Sequence, residues 1–434
     1  MSVVVKTPPI GVNDPLINKF EELLLHGHQL FHTGKTMEAE RIWHWIARTR
    51  REHARKIGYD AVGSRFLTGR WVQNIGHFIY LDSYIKLWKM GYLGDIRTLY
   101  LILNIYGRVR ISNTCLLDLY ARHLHVISNE QADIPDALRV VAHWLRDDYE
   151  SIQLESGEGL TADEMVRFAH TQWRQRGLAP LVSLNDQQLE IGESYLRQHI
   201  GSDRKWFVGI HVRTPGYNGV GTTIRDCDID DYLGAIKRIL DMGGAVIRLG
   251  HDKMKPLPKL DGLIDYACDK NKRPEIDIYA VARSKFHIGC ASGMDPIPNL
   301  FGVPIIILNH APIGMDVWSF MASYLPKTYS TMDGRPLSLS ELAERSLQEI
   351  ESAEILAHHG VKVKSISPEA IESIVVRYAT DCDAAIAADK SGNAVSRAFF
   401  NHCQGLGLHS AAMPAIEFAR DEFASFHERL EVCQ

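Results

Sequence analysis

The stretch WFVGIHVR, Trp206 to Arg213, decides the fold. Its first part, Trp206-Phe207-Val208-Gly209-Ile210, is an apolar run; His211 and Arg213 end it, and Thr214-Pro215-Gly216-Tyr217-Asn218-Gly219 break it into a turn. A short apolar run closed by turn residues is the pattern of a strand buried in a parallel sheet. Ligands of such sheets collect beyond the carboxyl ends of the strands. His211 and Arg213 therefore fall where chemistry is expected. They stand two apart, so they share one face of the strand. Arginine also brings a planar fork of donors that matches a phosphate.

Working outward, the alternation of strand and helix is clean. Strands are expected at 206–212, 245–249, 263–267, 286–290 and 304–308, with helices at 229–242 and 276–284 and a helix or turn at 293–301. An amphipathic helix at 185–200 leads in. Together these make a doubly wound sheet of about five strands. After Ala311 the chain reads as helical, with starts at Ser338 and at Ser367-Pro368, a loop at 405–407 and a last helix from about Met413. The first half is less regular. Strands are expected at 65–69 and 97–103, an amphipathic helix within 70–91, a loop at 104–113, helices to about Arg146, and one helix in the polar stretch 148–180. From Asp14 to Gly58 the pattern is helical and charged, and Gly27, Leu30, Phe31, Gly34, Ala39 and Trp43 resemble one tetratricopeptide unit. Such units are stable in numbers of about three or more, so a helical hairpin on the main body is the preferred reading.

The expected fold class is α/β: two Rossmann-like domains with an N-terminal helical hairpin and C-terminal helices. The divisions are 1–60 for the helical extension, 61–184 for an acceptor domain, 185–330 for a donor domain and 331–434 for the helical region.

With 434 residues, 45% of them hydrophobic and 23% charged, the chain has ordinary globular composition. A formal net charge of −5 speaks against a general nucleic-acid partner. No run approaches the roughly 20 apolar residues of a membrane span, and the N-terminus lacks the apolar core of a signal peptide. The seven cysteines are scattered and never form C-x-x-C, which fits a reducing, cytoplasmic setting and argues against a disulfide framework or a structural zinc site. No P-loop, G-x-G-x-x-G, H-E-x-x-H, G-x-S-x-G or D-x-D metal motif with a binding role is present; Asp228 and Asp230 open a helix, where capping explains them.

Four constellations carry candidate chemistry. The first is His211 with Arg213. The second is Ser292-Gly293-Met294, after the strand FHIGC, where a small residue and a glycine entering a helix leave backbone N–H groups facing an anion. The third is Gly250 and Asp252 at the end of AVIRL, with Asp252 equally an acceptor for a base or ribose or a residue that closes the turn; Asp277 is a second candidate acceptor, but helix capping explains it more cheaply. The fourth is Asn74, Gly76 and His77, where Gly76 allows close backbone approach and His77 is a candidate base.

The order of HVR, a Gly-rich loop, RDCDIDDYL (225–233), GGAVIRLG (243–250), IDYA (264–267), DIYAVARSKFHIGCASG (277–293) and FGVP (301–304) resembles a bacterial surface-polysaccharide glycosyltransferase family. That family is similar to fucosyltransferase-like enzymes of the two-Rossmann (GT-B) type. NIGH at 74–77 resembles its N-terminal domain. Thr214 stands where many fucosyltransferases carry a second arginine. The resemblance implies transfer of a sugar from a nucleotide sugar to a glycan or lipid-linked acceptor, with no metal and no cofactor. Arg213 would hold the donor diphosphate, Ser292, Gly293 and Met294 would line the donor pocket, and the N-terminal half would take the acceptor. It also implies a cytoplasmic protein whose N-terminal helices meet a protein partner or the inner membrane face. Two rivals share the composition: a scaffold that binds nucleotide or partner without catalysis, and a nucleotide-sugar epimerase on the same fold.

Overall fold

The computed structural model describes residues 15–33, 35–103, 109–127, 136–200, 203–215, 222–319, 321–408, 410–420, 423 and 426, in two units, Ser2–Val182 and Ser183–Gln434.

In the first unit, helices Pro15–His32 and Thr36–Lys56 form the expected hairpin. They approach where Gly27 meets the Trp43 indole, so closely that a Cβ at 27 would lie 2.4 Å from the indole nitrogen. Ile17, Phe20, Trp43 and Ile46 then join Phe66, Ile102 and Trp144 in one core, which ties the hairpin to the sheet. That sheet holds β1 (Ser64–Thr68), β2 (Thr98–Ile102) and β3 (His125–Ile127), parallel and in that order. A hairpin of β4 (Ser151–Gln153) and β5 (Gly159–Thr161) follows, and Thr161 and Glu164 form a capping box that opens helix Ala162–Gln175. β3 lies where helices were expected, and β4 and β5 lie in the stretch read as polar with one helix. Each spans three residues, too few to display an alternation.

In the second unit the strands are β6 (Phe207–Ile210), β7 (Ala245–Arg248), β8 (Leu263–Ile264), β9 (His287–Gly289), β10 (Ile305–His310), β11 (Ala322–Pro326), β12 (Thr328–Thr331), β13 (Val361–Lys364) and β14 (Met413–Pro414). Seven form one parallel sheet in the order β8-β7-β6-β9-β10-β11-β14. The α/β class therefore holds, with seven strands in place of about five. The chain runs outward from β6 to β8, then returns to place β9 on the other side of β6. Strand order thus reverses between β6 and β9, and the carboxyl ends at such a switch point are where open α/β sheets bind ligands.

The reading of everything after Ala311 as helical is overturned. β11 is buried along its whole length and so shows no polar alternation. β12 and β13 pair antiparallel, and β14 is a two-residue strand where a helix was expected to start. Helix starts fared better. Ser338 and Glu341 form a capping box, and Ser367 caps Pro368–Thr380. On one face of the sheet Val208, Ile210 and Val212 pack with Ile236 and Ile239 of helix Leu233–Asp241 and with Ile371, Ile374 and Val375 of helix Pro368–Thr380. Each such side chain contributes roughly 1.5–3 kcal/mol by leaving water. This packing fixes the height at which β6 ends, and with it the position of Arg213.

Candidate active site

β6 gives out at Ile210, and the next amide keeps the ladder for one more step: the His211 N–H donates to the Ile288 carbonyl at 2.9 Å. The Arg213 N–H then donates to Cys290 Sγ at 2.9 Å. Arg213 is thereby anchored at the switch point, beside the segment that leads from β9 to Ser292. Its side chain is 19% exposed, and Nε donates to Asp226 Oδ1 at 3.1 Å. No described residue takes a hydrogen bond from either Nη group. One edge of the guanidinium is held and the other is open.

Two more cations converge there. Arg225 Nε donates to the Ala291 carbonyl at 2.7 Å and its Nη1 to Glu351 at 3.0 Å. Lys327, just beyond β11 and 5% exposed, donates to the Asp226 carbonyl at 2.7 Å. Neither residue was singled out from the sequence. Arg225 belongs to the quoted RDCDIDDYL segment, where an Arg-Asp pair ending a Gly-rich loop was the available signal. Lys327 follows a strand that the sequence did not reveal.

Ser292, Gly293 and Met294 sit close to this cluster but not as a helix start. The regular helix spans Ile297–Leu300 only. The Ser292 N–H donates to Asp295 Oδ2 at 3.0 Å, its hydroxyl donates to Asp295 Oδ1 at 2.8 Å, and the Met294 N–H donates to the Ser292 hydroxyl at 3.2 Å. The expected row of open backbone donors is corrected: an internal carboxylate already occupies part of it. Burial pushes the Asp295 carboxyl up to about 6, against the hydrogen bonds from Ser292 and the charge of Arg225. The bend is tight. Ala291 has φ 58°, and a Cβ on Gly289 would lie 2.4 Å from the Asp295 carboxylate.

His211 is neutral at pH 7. Burial, then the charge of Arg248, holds its pKa down at about 4, and Nδ1 is buried with no partner among the described residues. Gly250, at the end of β7 and across β6 from Ser292, gives its carbonyl to Lys272 Nζ. Its φ of 148° and the Met254 sulfur, 2.2 Å from where a Cβ would be, make glycine necessary. Asp252 is exposed in the following turn. Asp277 lies in the first turn of helix Pro274–Ala282, half-buried, and burial raises its carboxyl to about 6 despite nearby Lys272.

The fourth constellation belongs to the first unit. Asn74 Oδ1 accepts from the Gly76 N–H at 3.1 Å, so Asn74 caps the turn Ile75–His77 that leads into helix Phe78–Lys89. His77 Nδ1 lies 2.9 Å from the Arg70 carbonyl. A carbonyl only accepts, so Nδ1 carries the proton and Nε2 keeps its lone pair. Burial lowers the His77 pKa, which keeps that lone pair available at neutral pH. The ring of Tyr149 stands 4.9 Å away, centroid to centroid. Arg70 is itself fixed by Glu150 and by His28 Nε2 at 2.9 Å, a residue of the first helix.

Among the described residues, no group of three His, Cys, Asp or Glu side chains could hold a metal ion, and no helix is long and apolar enough to cross a membrane.

No family model matches the chain, and no curated protein does. Solved structures do. A glycosyl transferase of family 9 from Veillonella parvula is 10% identical with a TM-score of 0.38, over 68% of this chain and 95% of that one. The ADP-heptose LPS heptosyltransferase II of E. coli is 13% identical with a TM-score of 0.38, over 68% and 97%. E. coli heptosyltransferase WaaC with ADP-2-deoxy-2-fluoro heptose is 9% identical with a TM-score of 0.31, over 60% and 92%.

Proposed function

We propose that the chain is a glycosyltransferase that grips a nucleotide sugar by its diphosphate in the crevice between the ends of β6 and β9. The observation that carries this reading is the half-held guanidinium of Arg213, with Arg225 and Lys327 beside it. Three cations in a largely buried setting at a switch point suit a diphosphate that carries two negative charges in the donor and gains a third as it leaves. In the reaction the bond between the anomeric carbon and the β-phosphate oxygen breaks, and the acceptor oxygen bonds to that carbon. The electron pair leaves with the nucleoside diphosphate, whose growing charge Arg213 and its neighbours offset. Preorganised donors do this at little reorganisation cost. The acceptor hydroxyl gives its proton to a base, the role that the free Nε2 of His77 suits. Charge neutralisation by side chains makes the transfer metal-independent in this reading. A glycan or lipid-linked hydroxyl is the proposed acceptor, in surface polysaccharide synthesis on the cytoplasmic side, with the N-terminal helices meeting a protein partner or the membrane face.

The test is a melting series with ADP, GDP, UDP and CDP. A ligand at a hundredfold excess over its Kd stabilises the fold by about 2.7 kcal/mol, so one of the four is expected to raise Tm clearly and to lose that effect in Arg213→Ala. If none of them shifts the wild-type protein, the transferase reading fails.

A further inference from the structure

Beneath the open fork lies a carboxylate that the transfer chemistry does not use. Asp226 has a side chain only 6% exposed, and all of its polar groups are engaged with the site's frame. Oδ1 accepts from Arg213 Nε at 3.1 Å, and Oδ2 accepts from the Thr223 N–H at 2.7 Å. Its carbonyl accepts from Lys327 Nζ at 2.7 Å, and its N–H donates to the Thr223 carbonyl at 3.2 Å. The next amide, Cys227 N–H, returns to the Arg213 carbonyl at 2.9 Å. Thr223 is in turn stitched to Ser352 by a β-bridge. One residue thus joins the end of β6, the chain returning toward helix Leu233–Asp241, and the cation that follows β11.

We propose that Asp226 is the positioning residue of the diphosphate site: by holding Nε it fixes the plane of the Arg213 guanidinium and turns the Nη1/Nη2 edge toward the ligand, while its backbone places Lys327 alongside. An arginine loses much rotamer freedom when it binds, and a fork held in advance has already lost it. The inference rests on the diphosphate reading above and extends it to a residue that touches no substrate.

Charge and geometry pull in opposite directions here, which makes the idea testable. Asp226 is an anion beside an anion-binding site. If it acted through charge alone, Asp226→Asn would tighten nucleoside diphosphate binding. Positioning predicts the reverse, because a neutral amide has one acceptor oxygen and cannot hold both Arg213 Nε and the Thr223 N–H. With whichever of ADP, GDP, UDP or CDP binds the wild-type chain, Asp226→Asn is expected to weaken Kd about tenfold. The same substitution in an Arg213→Ala background is expected to change it less than twofold, since the effect travels through that arginine. Arg213→Lys gives an independent check should Asp226→Asn fold poorly. Lysine keeps the charge but has no Nε edge to hold, so its loss is expected to approach that of Arg213→Ala. Unchanged or tighter binding by Asp226→Asn, an equal loss in both backgrounds, or wild-type affinity in Arg213→Lys would each overturn the proposal. If Arg213→Ala itself binds as well as wild type, the diphosphate reading falls first and the inference goes with it.

Discussion

At the scale of single residues, the roles proposed for Arg213 and His77 can be tested separately. Removing a preorganised donor to a leaving oxyanion costs roughly 10²–10³ in turnover, so Arg213→Ala is expected to lower kcat/KM by that much while its far-UV circular dichroism stays that of the wild type. Near-normal turnover would remove Arg213 from the mechanism. His77→Ala is expected to slow turnover by roughly 10²–10⁴ and to leave the nucleoside diphosphate Kd unchanged, because His77 belongs to the first unit and the cation cluster to the second. His77 is kept neutral by burial. The acid limb of the pH–kcat profile should therefore fall below pH 6.5, and it should vanish in His77→Gln if that ring is the base. The place of Arg213 just past a strand end was legible in the sequence. Its neighbours Arg225, Asp226 and Lys327 were not, because they meet it in space only after separate strands and loops have intervened.

Elements are held by contacts with little slack, and the helix pair behind the sheet shows it. Helix Asp186–His199 lies against helix Pro274–Ala282 where Gly192 faces the ring of Tyr279; a Cβ on Gly192 would lie 2.0 Å from the ring. Gly192→Ala forces one helix outward, and overpacking of this kind costs about 1–3 kcal/mol. Urea unfolding should register that loss, and a variant as stable as wild type would mean the helices separate freely. The capping box at Ser338 offers a smaller test: Ser338→Ala leaves the Glu341 N–H without its side-chain acceptor and should cost about 1 kcal/mol. This helix start was visible in the sequence because capping is local chemistry. The strand β11 was not, because a short strand buried along its length carries no alternation to see, and β14 was not, because two residues are too few to show one.

Across the second unit as a whole, acid stability depends on buried histidines. His211 and His310 are held at about 4 and His287 at about 3, in each case first by burial. The unfolded chain takes up these protons near pH 6.5, and the folded chain does not. Stability is therefore lost as pH falls from about 6.5 toward 4, by up to about 1.4 kcal/mol per pH unit for each ring. Asp277 and Asp295, raised to about 6, act with the opposite sign: folded, they bind protons that the unfolded carboxyls release. His287→Asn should thus flatten the dependence of unfolding free energy on pH between 6 and 4.5 by about 1.4 kcal/mol per unit, measured by urea titration at several pH values. An unchanged slope would mean that His287 is not held neutral. The α/β class, the strand that leads to Arg213 and the helix starts at Ser338 and Ser367 follow from the chain's own order of residues, because periodicity and capping act over a few neighbours. Strand order, its reversal between β6 and β9 and the gathering of Arg213, Arg225, Asp226 and Lys327 do not. They arise when distant segments bury one another, and neighbouring residues along the chain carry no record of that.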